Sequence, residues 1–164
     1  MADLDRTVFV GGTGRSGSTI VGHLLDHHPE LTLTRPMEVR YLAGNDGFAD
    51  ALAIGVRKPG SDKALAAAQL ATDRLLHRWF ERAPDVGLHT SMPRIDVERW
   101  THDYLAAFDS DPAAATRHLS DRILGRIADR LGAQRLVDTT PANARKADRL
   151  ELVYPESTVV VVTR

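Results

Sequence analysis

The chain predicts an α/β fold, a mostly parallel sheet flanked by helices and interrupted by a helical insertion, and three observations carry that reading. Thr7 to Val10 is a short β-branched and aromatic run that breaks into Gly11-Gly12, and the stretch from Ser18 to Asp26 that follows has helical spacing with Gly22 as its only breaker. Near the other end, Arg135 to Asp138 and Ser157 to Thr163 read as two more strands, separated by a helix that Thr140-Pro141 opens. Between them, residues 62 to 131 are dominated by helical patterns and form the insertion. Strands alternating with helices imply parallel pairing, and ligands of such sheets bind at the carboxyl ends of the strands.

Each element has a local cause. Ile20, Val21, Leu24 and Leu25 fall at helical spacing until Pro29 forces an exit. Residues 30 to 62 contain Pro36, Gly44, Gly47, Gly55, Pro59 and Gly60, which predict loops with a turn or two of helix around Glu38 to Leu42. Lys63 to Arg82 is alanine-rich, with Ala68, Ala71, Leu75, Leu76 and Trp79 on one stripe, and a further helix is expected over Val97 to Phe108. Asp111-Pro112 is an N-cap followed by proline at the first helical position, and Leu119, Ile123, Ile127 and Leu131 recur every fourth residue until Gly132. The helix after Thr140-Pro141 should run to Val153. Ser157 to Thr163 is a continuous β-branched run of the kind found in parallel strands covered on both faces.

A chain of 164 residues is one domain long and buries enough surface to hold a core without disulfides. It has no cysteine, which excludes a thiolate zinc site and a cysteine nucleophile and is compatible with a reducing cytoplasm. With 21 basic and 22 acidic residues, the net charge of -1 offers no global attraction to nucleic acid or anionic membranes, so an anion site must be local. No stretch approaches the ~18 apolar residues of a membrane span, and the amino terminus lacks a basic start and a long apolar run, so the chain is read as cytoplasmic.

The chemistry concentrates in Gly12-Thr13-Gly14-Arg15-Ser16-Gly17-Ser18-Thr19, which lies between the first strand and the first helix. Gly12 and Gly17 have the spacing of a phosphate-binding P-loop, in which backbone N–H groups surround anionic oxygens at a helix amino end. The lysine that a nucleoside triphosphatase carries after the last glycine is replaced by Ser18, and a cation stands earlier in the loop as Arg15. Arg15-Ser16-Gly17-Ser18-Thr19, the following helix and His28-Pro29 resemble the 5'-phosphosulfate loop of sulfotransferases, particularly the tyrosylprotein and related bacterial branches. A second block, from Asp138-Thr139-Thr140-Pro141 through Tyr154-Pro155 to Val159 to Arg164, resembles the family segment that leads into its 3'-phosphate-binding strand.

That resemblance implies transfer of a sulfuryl group from 3'-phosphoadenosine 5'-phosphosulfate to a hydroxyl or amine of a small-molecule, carbohydrate, lipid or peptide acceptor, with no metal. It implies that Gly14, Arg15, Ser16, Gly17, Ser18 and Thr19 hold the donor, that Arg15 stabilises charge on the bridging oxygen, and that Arg164 contacts the 3'-phosphate. The acceptor must lose a proton, and the family's glutamate soon after His-Pro makes Glu38 the first candidate base. Glu38 falls later than that glutamate, which requires a short insertion between Thr32 and Met37; the alternative is a surface glutamate paired with Arg35 or Arg40. His89 is the reserve base, because other sulfotransferase branches use histidine. The family often has a lysine at the position of Thr139, so either Arg15 carries that charge alone, another cation such as Arg40 substitutes, or activity is reduced.

Two other readings compete. Asp138, an acid ending a strand, suits a magnesium-binding residue in a P-loop nucleotide-binding or kinase-like protein, against which the missing lysine counts. A degenerate anion-binding module is the non-enzymatic alternative. His23 and His27 have metal-ligand spacing, but there is no H-E-x-x-H pattern, and they read as solvated or packed. Trp79, Phe80, Trp100 and Tyr104 read as core or acceptor-pocket walls. Neither nucleic acid nor membrane is expected as a partner, and oligomerisation is left open. The resemblance further implies that this single domain is an amino-terminal portion, incomplete at its carboxyl end, with weak donor binding and a tendency to associate as the expected consequences.

Overall fold

The computed structural model describes residues 2 to 163. Four strands, β1 (Val8–Gly12), β2 (Leu31–Leu33), β3 (Arg135–Asp138) and β4 (Thr158–Val162), form one parallel sheet in the order β2-β3-β1-β4. Val8 sits opposite Val137 on one side and Thr158 on the other, and Leu33 opposite Val137 closes the register of β2. From β1 the chain crosses through α1 (Ser18–Leu25) to β2, while from β3 it crosses through a 3-10 segment (Pro141–Lys146) and α6 (Ala147–Val153) to β4. The two crossovers leave the neighbouring strands β1 and β3 in opposite directions, which opens a crevice at their carboxyl ends.

The sheet's two faces are unequal. On one side α1 packs Val21 and Leu25 against Val10, Leu33 and Val137. Gly22 permits this approach, since a Cβ there would collide with the Thr139 side chain. On the other side Phe9, Leu136, Leu150, Val153 and Tyr154 join a larger core built by α2 (Phe48–Arg57), α3 (Asp62–Arg74), α4 (Arg94–Phe108) and α5 (Pro112–Leu131). In α5 the expected signals act as read: Asp111 accepts from Ala114 N at 2.9 Å, Pro112 opens the helix, and Gly132 ends it in the left-handed conformation.

Three expectations change. The glycines of residues 30 to 62 do not keep that stretch in loops: β2 and all of α2 lie within it, and Glu38 to Leu42 is not helical. Gly55 lies inside α2 because the helix passes so close to Phe108 and Pro112 that a side chain would not fit, and the buried Phe48, Ala49 and Leu52 stabilise it by packing. The helix after Thr140-Pro141 begins as a 3-10 segment. Finally, β4 is not covered on both faces among the described residues; it is an edge strand, and Val161 is 56% exposed.

Candidate functional site

At the end of β1 the backbone turns sharply over residues 13 to 17. Gly12 leaves no room for a side chain, since a Cβ would meet the Ser16 side chain and the Val162 carbonyl oxygen. Gly17 takes φ +97°, a conformation in which any other residue is strained, and it starts α1 with no side-chain cap. The opening amides of α1 therefore face an uncapped helix start, where the helix dipole favours an anion. Arg15 is exposed at φ 60° and makes no side-chain hydrogen bond or ion pair among the described residues. Ser16 Oγ and, across the crevice, Thr139 Oγ1 are buried without a hydrogen-bond partner. Orphaned hydroxyls, free amides and an unpaired cation form a donor set that fits an oxyanion. Gly14 lies in the same loop and Ser18 and Thr19 open α1, whereas Arg164 lies outside the described residues.

Facing this loop is the segment after β2, and contacts distant in sequence hold it there. Thr34 N donates to Val137 O at 2.9 Å, Ser91 Oγ to Arg35 O at 2.9 Å, and Arg82 Nη1 to Glu38 O at 3.1 Å. The strongest anchor is Asp138. Its carboxylate accepts from Val39 N, Thr140 N, Thr140 Oγ1 and Asn143 Nδ2 at 2.9 to 3.3 Å, and Thr140 Oγ1 in turn accepts from Arg40 N. Complete burial pushes the Asp138 carboxyl above the usual carboxylate range, although these donors pull the other way. Both oxygens of Asp138 are thus engaged within the protein, a geometry that turns it away from the magnesium-ligand role considered from sequence. Among the described residues no group of histidines and acids could hold a metal ion.

So anchored, Glu38 takes φ 54° and borders a cavity of about 460 Å³ with Thr19, His23, Met37, Arg82 and Thr139. Its carboxylate accepts from Arg40 Nε at 3.0 Å and from Arg40 Nη2, and Arg82 Nη2 lies 3.9 Å away. Of the two arginines named in the alternative reading of Glu38, Arg40 and not Arg35 is the partner. Arg82 was not foreseen. It reaches the cavity from the turn after α3, 44 residues away, and no local pattern marks it. Partial burial and the nearby Arg40 charge lower its pKa from the usual arginine value.

His89 is elsewhere. Its Nδ1 lies 3.0 Å from Phe80 O and its Nε2 2.9 Å from Pro84 O, and these two carbonyls raise its pKa. Both ring nitrogens face main-chain carbonyls of the turn that carries Arg82, and His89 is not among the residues bordering the Glu38 cavity, so the structure does not bring the reserve base to Glu38.

With this geometry established, comparison with family models decides the identity. Residues 7 to 164 match the model described as the sulfotransferase family. The chain belongs to the sulfotransferase family. The match spans both blocks and the helical stretch between them, so this is a sulfotransferase enzyme throughout; it does not single out a branch. Neither the curated proteins nor the solved structures give a match. No helix of this sulfotransferase, among the described residues, is long and apolar enough to cross a membrane.

Proposed function

We propose that this sulfotransferase takes its sulfuryl group from 3'-phosphoadenosine 5'-phosphosulfate and passes it to a hydroxyl or amine of an acceptor seated in the cavity beside Glu38. The observation that carries the reading is the juxtaposition of two features: an uncapped helix start with an unpaired Arg15, and a carboxylate held over the neighbouring strand end by Asp138. When bound, the donor supplies an activated sulfuryl group on a phosphate leaving group. Gly14, Ser16, Gly17, Ser18 and Thr19 would hold its 5'-phosphate, and the resemblance assigns Arg164 to the 3'-phosphate. Arg15 neutralises the charge that grows at the loop as the bond to sulfur breaks.

Glu38 accepts the acceptor's proton on its carboxylate, exchanging an arginine contact for the hydroxyl. Thr139, uncharged where the family often has lysine, leaves a deficit that Arg82 fills, because Arg82 borders the same cavity as Thr139 and Glu38. Asp138 is a positioning residue: it fixes Val39 and Arg40, and through them Glu38. We further infer a single α/β domain in which residues 62 to 131 set acceptor choice, working in the cytoplasm and closest to the tyrosylprotein and bacterial branch.

Titration with 3'-phosphoadenosine 5'-phosphate against magnesium-ATP tests the reading. The expected result is metal-independent binding of the bisphosphate that Arg15→Ala weakens about tenfold or more, with magnesium-ATP much weaker. Tighter binding of magnesium-ATP would contradict it.

A further inference from the structure

Next to the Glu38 cavity, across the Arg40–Glu38 pair, lies a second one of about 410 Å³, bordered by Arg40, Asp46, Arg74, Arg78, Trp79 and Arg145 among others. The two share a wall. Arg40 of the second is bonded to Glu38 of the first, and the consecutive residues Thr139 and Thr140 border one each.

The charge of this second cavity is out of proportion to the chain. Four arginines border it against one acid, in a protein whose net charge is -1. Asp46 pairs with Arg74 at 2.5 Å and Glu38 with Arg40, which leaves Arg78 and Arg145 without an ion pair or side-chain hydrogen bond among the described residues. Arg74 Nε is buried and has no partner. Converging guanidinium groups repel one another, and concentrating them in a concavity costs stability unless an anion is bound there.

The backbone is also bent to bring them together. Arg74 ends α3, and the chain continues as a π-helical turn over Leu75–Trp79, a rare form that recurs at functional sites and here brings Arg74, Arg78 and Trp79 to one cavity. Arg40 and Asp46 hold φ 57° and 54°, which is costly for non-glycine residues. The indole of Trp79 is nearly covered and lines the cavity as an apolar wall beside the cations.

We infer that this basic cavity is an oxyanion subsite of the acceptor site: the acceptor carries a carboxylate, sulfate or phosphate group that Arg78, Arg145 and Arg74 hold while its hydroxyl lies at Glu38. The inference rests on the sulfuryl-transfer reading for the hydroxyl end, whereas the anion end stands on this cavity alone. Guanidinium groups recognise planar and tetrahedral oxyanions through paired N–H donors, which favours a charged acceptor over its neutral analogue.

The test uses the double variant Arg78→Glu/Arg145→Glu, whose altered residues are exposed and outside the transfer machinery. Inorganic pyrophosphate is titrated into wild type and variant, each saturated with 3'-phosphoadenosine 5'-phosphate so that the donor loop is filled. The expected result is a single pyrophosphate site that the variant weakens about tenfold or more, with bisphosphate affinity unchanged. In a second arm, phenols offered as matched pairs of free carboxylate and methyl ester are incubated with the donor, and sulfated products are weighed by mass spectrometry. Wild type should favour the acids about tenfold and the variant should lose that preference. Pyrophosphate binding that the variant leaves intact, or equal use of acids and esters by wild type, overturns the inference. So does loss of bisphosphate binding in the variant, which assigns the cavity to the donor. Failure of wild type to bind the bisphosphate strikes the donor reading alone, because the difference between wild type and variant in pyrophosphate affinity, measured without it, still reports on the cavity.

Discussion

The loop between β1 and α1 and the segment between β2 and α2 meet at one site but are shaped by different means. The first is shaped mainly from within: Gly12 and Gly17 let the backbone turn sharply, and the helix start that results carries no side-chain cap. The second holds its form by borrowed contacts, from Val137 and Asp138 on β3, Arg82 beyond α3, and Ser91 ahead of α4. Non-glycine residues take positive φ in both, Arg15 in the first and Glu38, Arg40 and Asp46 in the second. Such conformations persist where surrounding structure over-determines them. A loop of the first kind binds what its backbone fits, while one of the second can be retuned by residues far away, and this division suits a common donor and a specific acceptor.

Substitutions in the two regions should have different consequences. The largest effect on activity is expected at the local loop: Arg15→Ala should lower turnover by about a thousandfold, with a thermal melt that barely moves because the side chain is exposed and makes no hydrogen bond or ion pair among the described residues. The borrowed loop should respond in the opposite sense at its anchor. Asp138→Ala strands four donors and should cost about 2–4 kcal/mol in denaturant unfolding, carrying activity down with it.

Asp138 also fixes a sign with pH. Its folded-state pKa lies above the ordinary 3.8, so the native state holds the proton more tightly than the unfolded one. Its contribution is therefore fully present below 3.8 and is lost as pH rises through the raised value. Unfolding at a series of pH values should show that downward slope in the difference between wild type and Asp138→Asn.

Arg82→Ala should lower turnover about tenfold, and Arg82→Lys should recover part of it, if Arg82 supplies the charge that Thr139 lacks. Steady-state kinetics with bisphosphate affinity measured alongside would separate this from a donor-binding defect. The smallest effect is expected at His89: His89→Ala should change turnover less than about twofold. Its raised pKa means that its stabilising contribution is complete below 6.5 and lost as pH rises through the folded value, which a melt series on wild type and variant would register.

The same division explains what could be read from sequence. Strand, loop and α1, the capped α5 and the β3–α6–β4 unit follow from glycine, proline and β-branched residues acting on their near neighbours. Helix α2 was hidden because Gly55 reads as a breaker, whereas in the fold it is the residue that lets the helix approach Phe108. Glu38 could be singled out only through the family resemblance. Arg82 and the second cavity had no signal, since nothing in Arg74, Arg78 or Arg145 as a sequence says that a π-turn and a 3-10 segment bring them together.

As proposed, Glu38, positioned through Asp138 beside the donor loop, serves the transfer step and not donor binding. Glu38→Gln measures this most directly, with turnover and 3'-phosphoadenosine 5'-phosphate affinity determined on the same preparation. The account predicts turnover about a hundredfold lower and bisphosphate affinity unchanged. Turnover within a few-fold of wild type, or a parallel loss of bisphosphate affinity, would contradict it.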